Sequence, residues 1–266
     1  MTELCVRLVG PVTVRWNGRG YAGRDLGSRK ARTLVALLSV EPGRLVGMDR
    51  IVEMLWGDRP PRRPPANVAT LVSRLRSTFG PTMMVGGRSG YRLGDDVTTD
   101  LDESMEMLTA ARARLAAGYP ARALAAATGA LELAGAALRP DGYRGAGAVV
   151  LADQPDTTWA ETARVAHREV LRRGRHTAAA AAIQAGEHAT ALAAARAGVV
   201  ADPLDETACR LLMRAHCALG EPGRALRAYE HLRVTLAREL GCDPARTTRD
   251  LHLAVLRDEQ CLRPSA

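Results

Sequence analysis

Residues 64–81 read PPANVATLVSRLRSTFGP, and the helix written there decides the fold. Pro64 and Pro65 suit a first helical turn, where a missing N–H costs nothing, and Gly80-Pro81 stops the run. Val68, Leu71, Val72, Leu75 and Phe79 recur at helical spacing and form one apolar stripe. The opposite face carries Asn67, Thr70, Ser73, Arg74 and Ser77, and no Asp or Glu occurs anywhere in the helix. A solvated helix face ordinarily mixes in carboxylates. A helix that enters a groove lined with phosphates must exclude them.

Working outward, Thr82 to Val85 and Tyr91 to Leu93 flank Gly86-Gly87-Arg88-Ser89-Gly90, which predicts a hairpin with Arg88 at its basic tip. Ahead of the helix, four prolines between Arg59 and Pro65 make a stiff loop. A helix is expected over Met48–Trp56, with Ile51, Val52, Leu55 and Trp56 inward, ending at Gly57. Ser28 can cap another that runs to about Val40, with Ala31, Leu34, Val35 and Leu38 on one face. Farther upstream Leu4, Val6, Leu8, Val12, Val14 and Trp16 alternate with other residues, the period of short half-buried strands. Asn17-Gly18 then supplies a tight turn into a returning strand over Arg19–Ala22. Strands, three helices and a basic hairpin make a winged helix-turn-helix (α+β) with an N-terminal sheet, expected over residues 1–97.

From Leu101 onward strand signals fade and alanine-rich helical segments take over. GYPARAL at residue 118, GEHATAL at 186 and GEPGRAL at 220 share one pattern, offset by 68 and 34 residues. Thirty-four is the tetratricopeptide period, and Gly followed by Ala-Leu suits the turn between paired helices. Asp202-Pro203 and Asp243-Pro244 close two successive units. Residues 98–262 therefore read as an all-α, tetratricopeptide-like domain in a chain that is mainly α overall. Stacked arrays of this kind expose surfaces that bind proteins.

Charge separates the two halves. Residues 1–97 hold 16 Lys and Arg against 8 Asp and Glu, while the remaining 21 basic and 21 acidic residues of the chain balance. Lys30 is the only lysine, so a coding bias toward arginine contributes to the total, but such a bias does not confine the excess to one end. A basic reader beside a neutral contact domain is the electrostatic pattern of a nucleic-acid-binding regulator.

Other functions find no support. The five cysteines include no CxxC pair, and Cys209 and Cys217, about 12 Å apart along one helix, are too far apart to bridge. No HExxH or GxxxxGK[ST] motif occurs, and no acidic receiver precedes the basic half. Gly87-Arg88-Ser89-Gly90 lacks the spacing of a nucleophile elbow. The reading is of a chain that is not an enzyme, with no cofactor, no metal and no membrane span, placed in the cytoplasm on the nucleoid.

SRKARTLVALLSV (28–40), Leu55-Trp56-Gly57, Asn67-Val68, Val72-Ser73-Arg74-Leu75-Arg76 and Gly90-Tyr91-Arg92-Leu93 together resemble the OmpR-type winged helix. The resemblance is to its version in the SARP (Streptomyces antibiotic regulatory protein) family of transcriptional activators. Trp159-Ala-Glu and the segment from Asp205 to Pro244 resemble landmarks of that family's bacterial transcriptional activation domain. Between Leu133 and Asp156 a Gly/Ala-rich stretch replaces the family's usual Trp-Arg-Gly-Pro type segment.

The resemblance implies that 64–79 is the recognition helix. It puts Thr70 and Arg74 at base-reading positions, Arg76 at a phosphate- or groove-flanking position, and Arg88 in the minor groove. The chemistry suits these roles: an arginine fork pairs with guanine O6 and N7, and a threonine methyl touches a thymine methyl. Asn67 and Ser73 can donate to phosphate, and Arg29, Lys30 and Arg32 can add backbone contacts. The implied partners are double-stranded promoter DNA carrying direct repeats, RNA polymerase and, on DNA, a second copy of the chain. The competing reading is an interaction scaffold whose winged helix no longer reads DNA.

Overall fold

The computed structural model describes residues 4–138, 148–154 and 158–257. The alternating apolar residues form β1 (Leu4–Arg7), β2 (Thr13–Trp16) and β3 (Arg19–Ala22). Asn17 and Gly18, with φ of 49° and 77°, make the left-handed turn that matches the twist of the β2–β3 hairpin. A single helical turn, α1 (Gly23–Leu26), leads to α2 (Arg29–Val40), whose cap is Ser28 Oγ accepting from the Ala31 amide at 3.2 Å. Almost every side chain of α2 from Ala31 to Ser39 is buried, a wider face than its periodicity predicts. The reason is that α2 is covered on several sides, by α3 (Met48–Trp56), by α4 (Pro64–Phe79) and by a returning segment described below.

After α4, a 3-10 turn at Pro81–Met83 opens into β5 (Met84–Gly87) and β6 (Gly90–Leu93). This hairpin gains a third strand from β4 (Val46–Gly47), in the order β4-β6-β5. The N-terminal sheet is closed by β7 (Val97–Thr99), which lies parallel to β1 in the order β3-β2-β1-β7. Neither β4 nor β7 is legible in the sequence, because two or three residues are too few to display alternation.

Immediately after β7, the fully buried Asp100 carboxylate accepts from the Leu8 amide at 2.9 and 3.0 Å and from the Val9 amide at 2.9 Å. Burial pushes its pKa up, against the pull of those amides and of the Arg7 charge.

Residues 148–154 return to the same core. Val150 bridges to Val9 and Gly10, and the Asp153 carboxylate accepts from the Val12 amide at 2.9 Å. Asp153 also pairs with Arg32 at 3.3 Å, and Thr33 Oγ1 donates to Gln154 Oε1 at 2.8 Å. Trp159, a landmark expected in the helical domain, is buried in this core instead. The described residues within 1–103 and 147–168 thus form one compact unit, and those within 104–146 and 169–266 another. A single cut near residue 97 does not describe them. The Gly/Ala-rich departure over 133–156 lies partly outside the described residues.

The second unit is built from α5 (Asp100–Ala116), α6 (Pro120–Leu133), α7 (Thr158–Ala185), α8 (His188–Ala201), α9 (Glu206–Ala218), α10 (Pro222–Leu240) and α11 (Arg246–Leu256). The first residues of α5 and α7 belong to the first unit. Gly118, Gly186 and Gly220, with φ of 81°, 76° and 71°, each sit in the turn joining two consecutive helices. The repeated glycine marks the position where only a left-handed residue lets the second helix of a pair fold back. Helix α9 packs on both α8 and α10, and α10 packs on α11. The two halves are therefore a winged helix-turn-helix and an all-α tetratricopeptide-like array.

Candidate nucleic-acid interface

Helix α4 is seated by its apolar stripe: Val68, Val72, Leu75 and Phe79 are buried and Leu71 is half-buried. Phe79, the only phenylalanine, meets Trp16 edge-on at 6.1 Å and Tyr21 edge-on at 5.0 Å. Such pairs contribute about 0.5–1.5 kcal/mol each beyond area burial. The C-terminal end of α4 is thereby clamped to the N-terminal hairpin.

With that stripe inward, Asn67, Thr70, Ser73, Arg74 and Ser77 are all exposed. Thr70 Oγ1 donates to the Ala66 carbonyl and Ser77 Oγ to the Ser73 carbonyl, both at 2.9 Å, so those hydroxyl protons are committed to the helix. Among the described residues Arg74 has no ion-pair partner. Arg62 and Arg63, exposed just ahead of α4, add two cations that the sequence reading treated only as part of a stiff loop.

The hairpin turn is tighter than expected, with only Arg88 and Ser89 between β5 and β6, and Arg88 is exposed there. Two glycines permit it. A Cβ on Gly90 (φ 151°) would stand 2.2 Å from the Val46 carbonyl oxygen, and one on Gly86 (φ 135°) 2.2 Å from that of Gly90. The Met48 amide donates to the Ser89 carbonyl at 3.1 Å and ties the tip to the start of α3. Arg88 has no ion-pair partner among the described residues. Arg92, on the same hairpin, is paired with Asp95, which raises the arginine's pKa and lowers the carboxyl's.

Arg76 is placed apart from these residues. It is half-buried, and its Nε and Nη2 donate to the Met84 carbonyl at 3.0 and 2.8 Å rather than pointing outward beside Arg74. At the start of α2, Arg29 is exposed and the Lys30 ammonium lies 5.7 Å from the Trp56 ring centroid. That first turn contains no acidic residue, so two cations stand at the positive end of a helix dipole. An external anion would relieve that arrangement. Arg32 is internal, donating to the Gly23 and Gly27 carbonyls and pairing with Asp153.

Comparison with known proteins agrees with this architecture. Residues 99–256 match the family described as the bacterial transcriptional activator domain. The transcriptional regulator RedD of Streptomyces coelicolor is 30% identical over 98% of this chain and 73% of its own length. The chain belongs to the SARP family of transcriptional regulators. Another relative, the regulatory protein AfsR of Streptomyces coelicolor, is 31% identical over 96% of the chain, which spans only 24% of AfsR. The structure of Mycobacterium tuberculosis EmbR, in complex with a low affinity phosphopeptide, superposes with a TM-score of 0.78 at 28% identity. It covers 97% of this chain and 66% of EmbR. In this SARP protein, then, the basic winged helix and the helical array occur together as they do in a solved relative. No helix among the described residues is long and apolar enough to cross a membrane.

Proposed function

We propose that this SARP-family regulator is a sequence-specific DNA-binding activator that reads promoter direct repeats through α4 and the β5–β6 wing. The observation that carries the reading is the exposed, carboxylate-free face of α4, on which Arg74 has no ion-pair partner among the described residues, in the N-terminal part of the chain that holds the whole net positive charge. Arg74 and Thr70 read base edges in the major groove, and Asn67 and Ser73 donate to phosphates. Arg88 enters the minor groove, and Arg29 and Lys30 hold the backbone. The helical array contacts RNA polymerase and supports self-association on DNA. The family's name and its regulators support a target in an antibiotic or other secondary-metabolite gene cluster.

The test is binding of the full chain to promoter fragments from around its own gene, against competitor DNA at physiological salt. Selective retention of one fragment is expected. Arg74→Ala should then lose about 1–3 kcal/mol and relax the preference at one base pair. Equal, salt-labile binding to every fragment would reject sequence reading and favour a protein-interaction scaffold.

A further inference from the structure

Arg74 and Arg76 are two residues apart on α4, about 200° around the helix, so they serve different neighbours. The Arg76 guanidinium is directed at the wing. Nε and Nη2 both donate to the Met84 carbonyl on β5, and Nη2 also reaches the Gly86 carbonyl at 3.5 Å. The guanidinium carbon lies 5.8 Å from the ring centroid of Tyr91 on β6. One side chain of the recognition helix thus engages both strands of the hairpin. Met84 and Tyr91 are themselves buried, so this contact is made at the base of the wing and not at its solvated tip.

We propose that Arg76 is a positioning residue that locks the wing to the recognition helix, so that Arg74 and Arg88 engage DNA as one rigid pair. The role rests on the DNA reading above and differs from the phosphate- or groove-flanking position that the family resemblance implies for this residue. Arginine is suited to it because a planar fork places two N–H groups on one carbonyl while its face covers an aromatic ring. Lysine keeps the charge but offers a single point donor and cannot do both. Without the lock, the wing keeps its pairing with β4 and the Met48–Ser89 tie to α3, but α4 no longer fixes it, and Arg88 no longer arrives at a set distance from Arg74.

The experiment is a double-mutant cycle on operator DNA with Arg76→Lys, Arg88→Ala and the double variant, with Arg76→Gln carried in parallel. On a positioning role, Arg88→Ala costs roughly tenfold in the wild-type background. In the Arg76→Lys background it costs less than about twofold, because the wing contact is already lost. The salt exponents of both single variants and the double should then fall together, about one below wild type.

Near-wild-type binding by Arg76→Lys, with the full Arg88 effect retained, would mean a phosphate contact and would overturn the proposal. Hydrogen exchange of the free protein supplies a readout that needs no DNA. Amides over residues 84–91 should exchange faster in both Arg76 variants while α2 stays protected. Unchanged wing exchange would defeat the lock, whereas unselective binding by the wild type would defeat only the DNA reading.

Discussion

Replacing Asp100 with alanine should weaken the winged-helix unit far more than a single surface-loop substitution would. Both carboxylate oxygens accept from the Leu8 amide and one also from the Val9 amide, all within 3.0 Å, at a residue with no exposed surface. Alanine leaves those two buried amides without an acceptor, and each such loss costs about 1–3 kcal/mol. The expected loss is therefore about 2–6 kcal/mol. Asp100→Asn keeps an acceptor oxygen and should lose less than half as much. The assay is selective by construction. The chain's three tryptophans, Trp16, Trp56 and Trp159, all lie in the first unit, so urea unfolding followed by tryptophan emission reports on it. Whole-chain two-state behaviour need not be assumed for a molecule with two units. An unfolding free energy for Asp100→Ala within about 1 kcal/mol of wild type would show that these amides do not depend on the carboxylate.

Gly90→Ala should cut operator affinity roughly tenfold without removing any charge, because its Cβ would stand 2.2 Å from the Val46 carbonyl oxygen and spread the wing. Unchanged affinity, with tryptophan emission confirming the fold, would show that the wing tolerates that separation. Glu169 is held down to about 2, chiefly by its hydrogen bond from Arg172 and then by Arg173, against the opposing effect of desolvation. A depressed carboxylate stabilises above its unfolded value of 4.5 and loses that contribution as pH falls toward 2. The Glu169→Gln melting temperature should accordingly lie slightly below wild type at about pH 6, the effect being small at a half-buried, solvent-screened site, and converge with it near pH 2; a gap that does not narrow would contradict the pairing. Burial pushes the Cys5 and Cys209 thiols up to about 12, and Cys217 is buried too, whereas Cys242 is exposed. Iodoacetamide at about pH 8 should label Cys242 in the folded protein, and Cys5, Cys209 and Cys217 only after unfolding, as mass spectrometry of the peptides would establish.

The elements of the winged helix that are long enough to carry a period were legible residue by residue. The α2 and α3 limits, the start of α4 after the proline-rich loop and the glycine positions in the helical pairs follow from caps, periodicity and φ requirements, all of which act over a few residues. The exposed placement of Asn67, Thr70, Ser73 and Arg74 was legible for the same reason, since one apolar stripe leaves only one face for them, and the glycines around Arg88 put it at a hairpin tip. Arg76 was not. Its position on α4 was predictable, but the carbonyl that captures it belongs to β5, eight residues away, and no periodicity encodes that pairing.

By itself, then, the sequence determined the succession of helices and strands, the polarity of a basic winged helix followed by a neutral array, and the carboxylate-free chemistry of the exposed face of α4. Only the tertiary structure decided how the first unit is completed. β7 and Asp100 close it from just beyond the expected boundary, and residues 148–154 with Trp159, which follow α5 and α6 in the sequence, return to it. The physical reason is range. Local propensity is written in neighbouring residues, whereas a backbone amide donates to whichever carboxylate the folded chain brings within 3 Å of it, here 92 and 141 residues away.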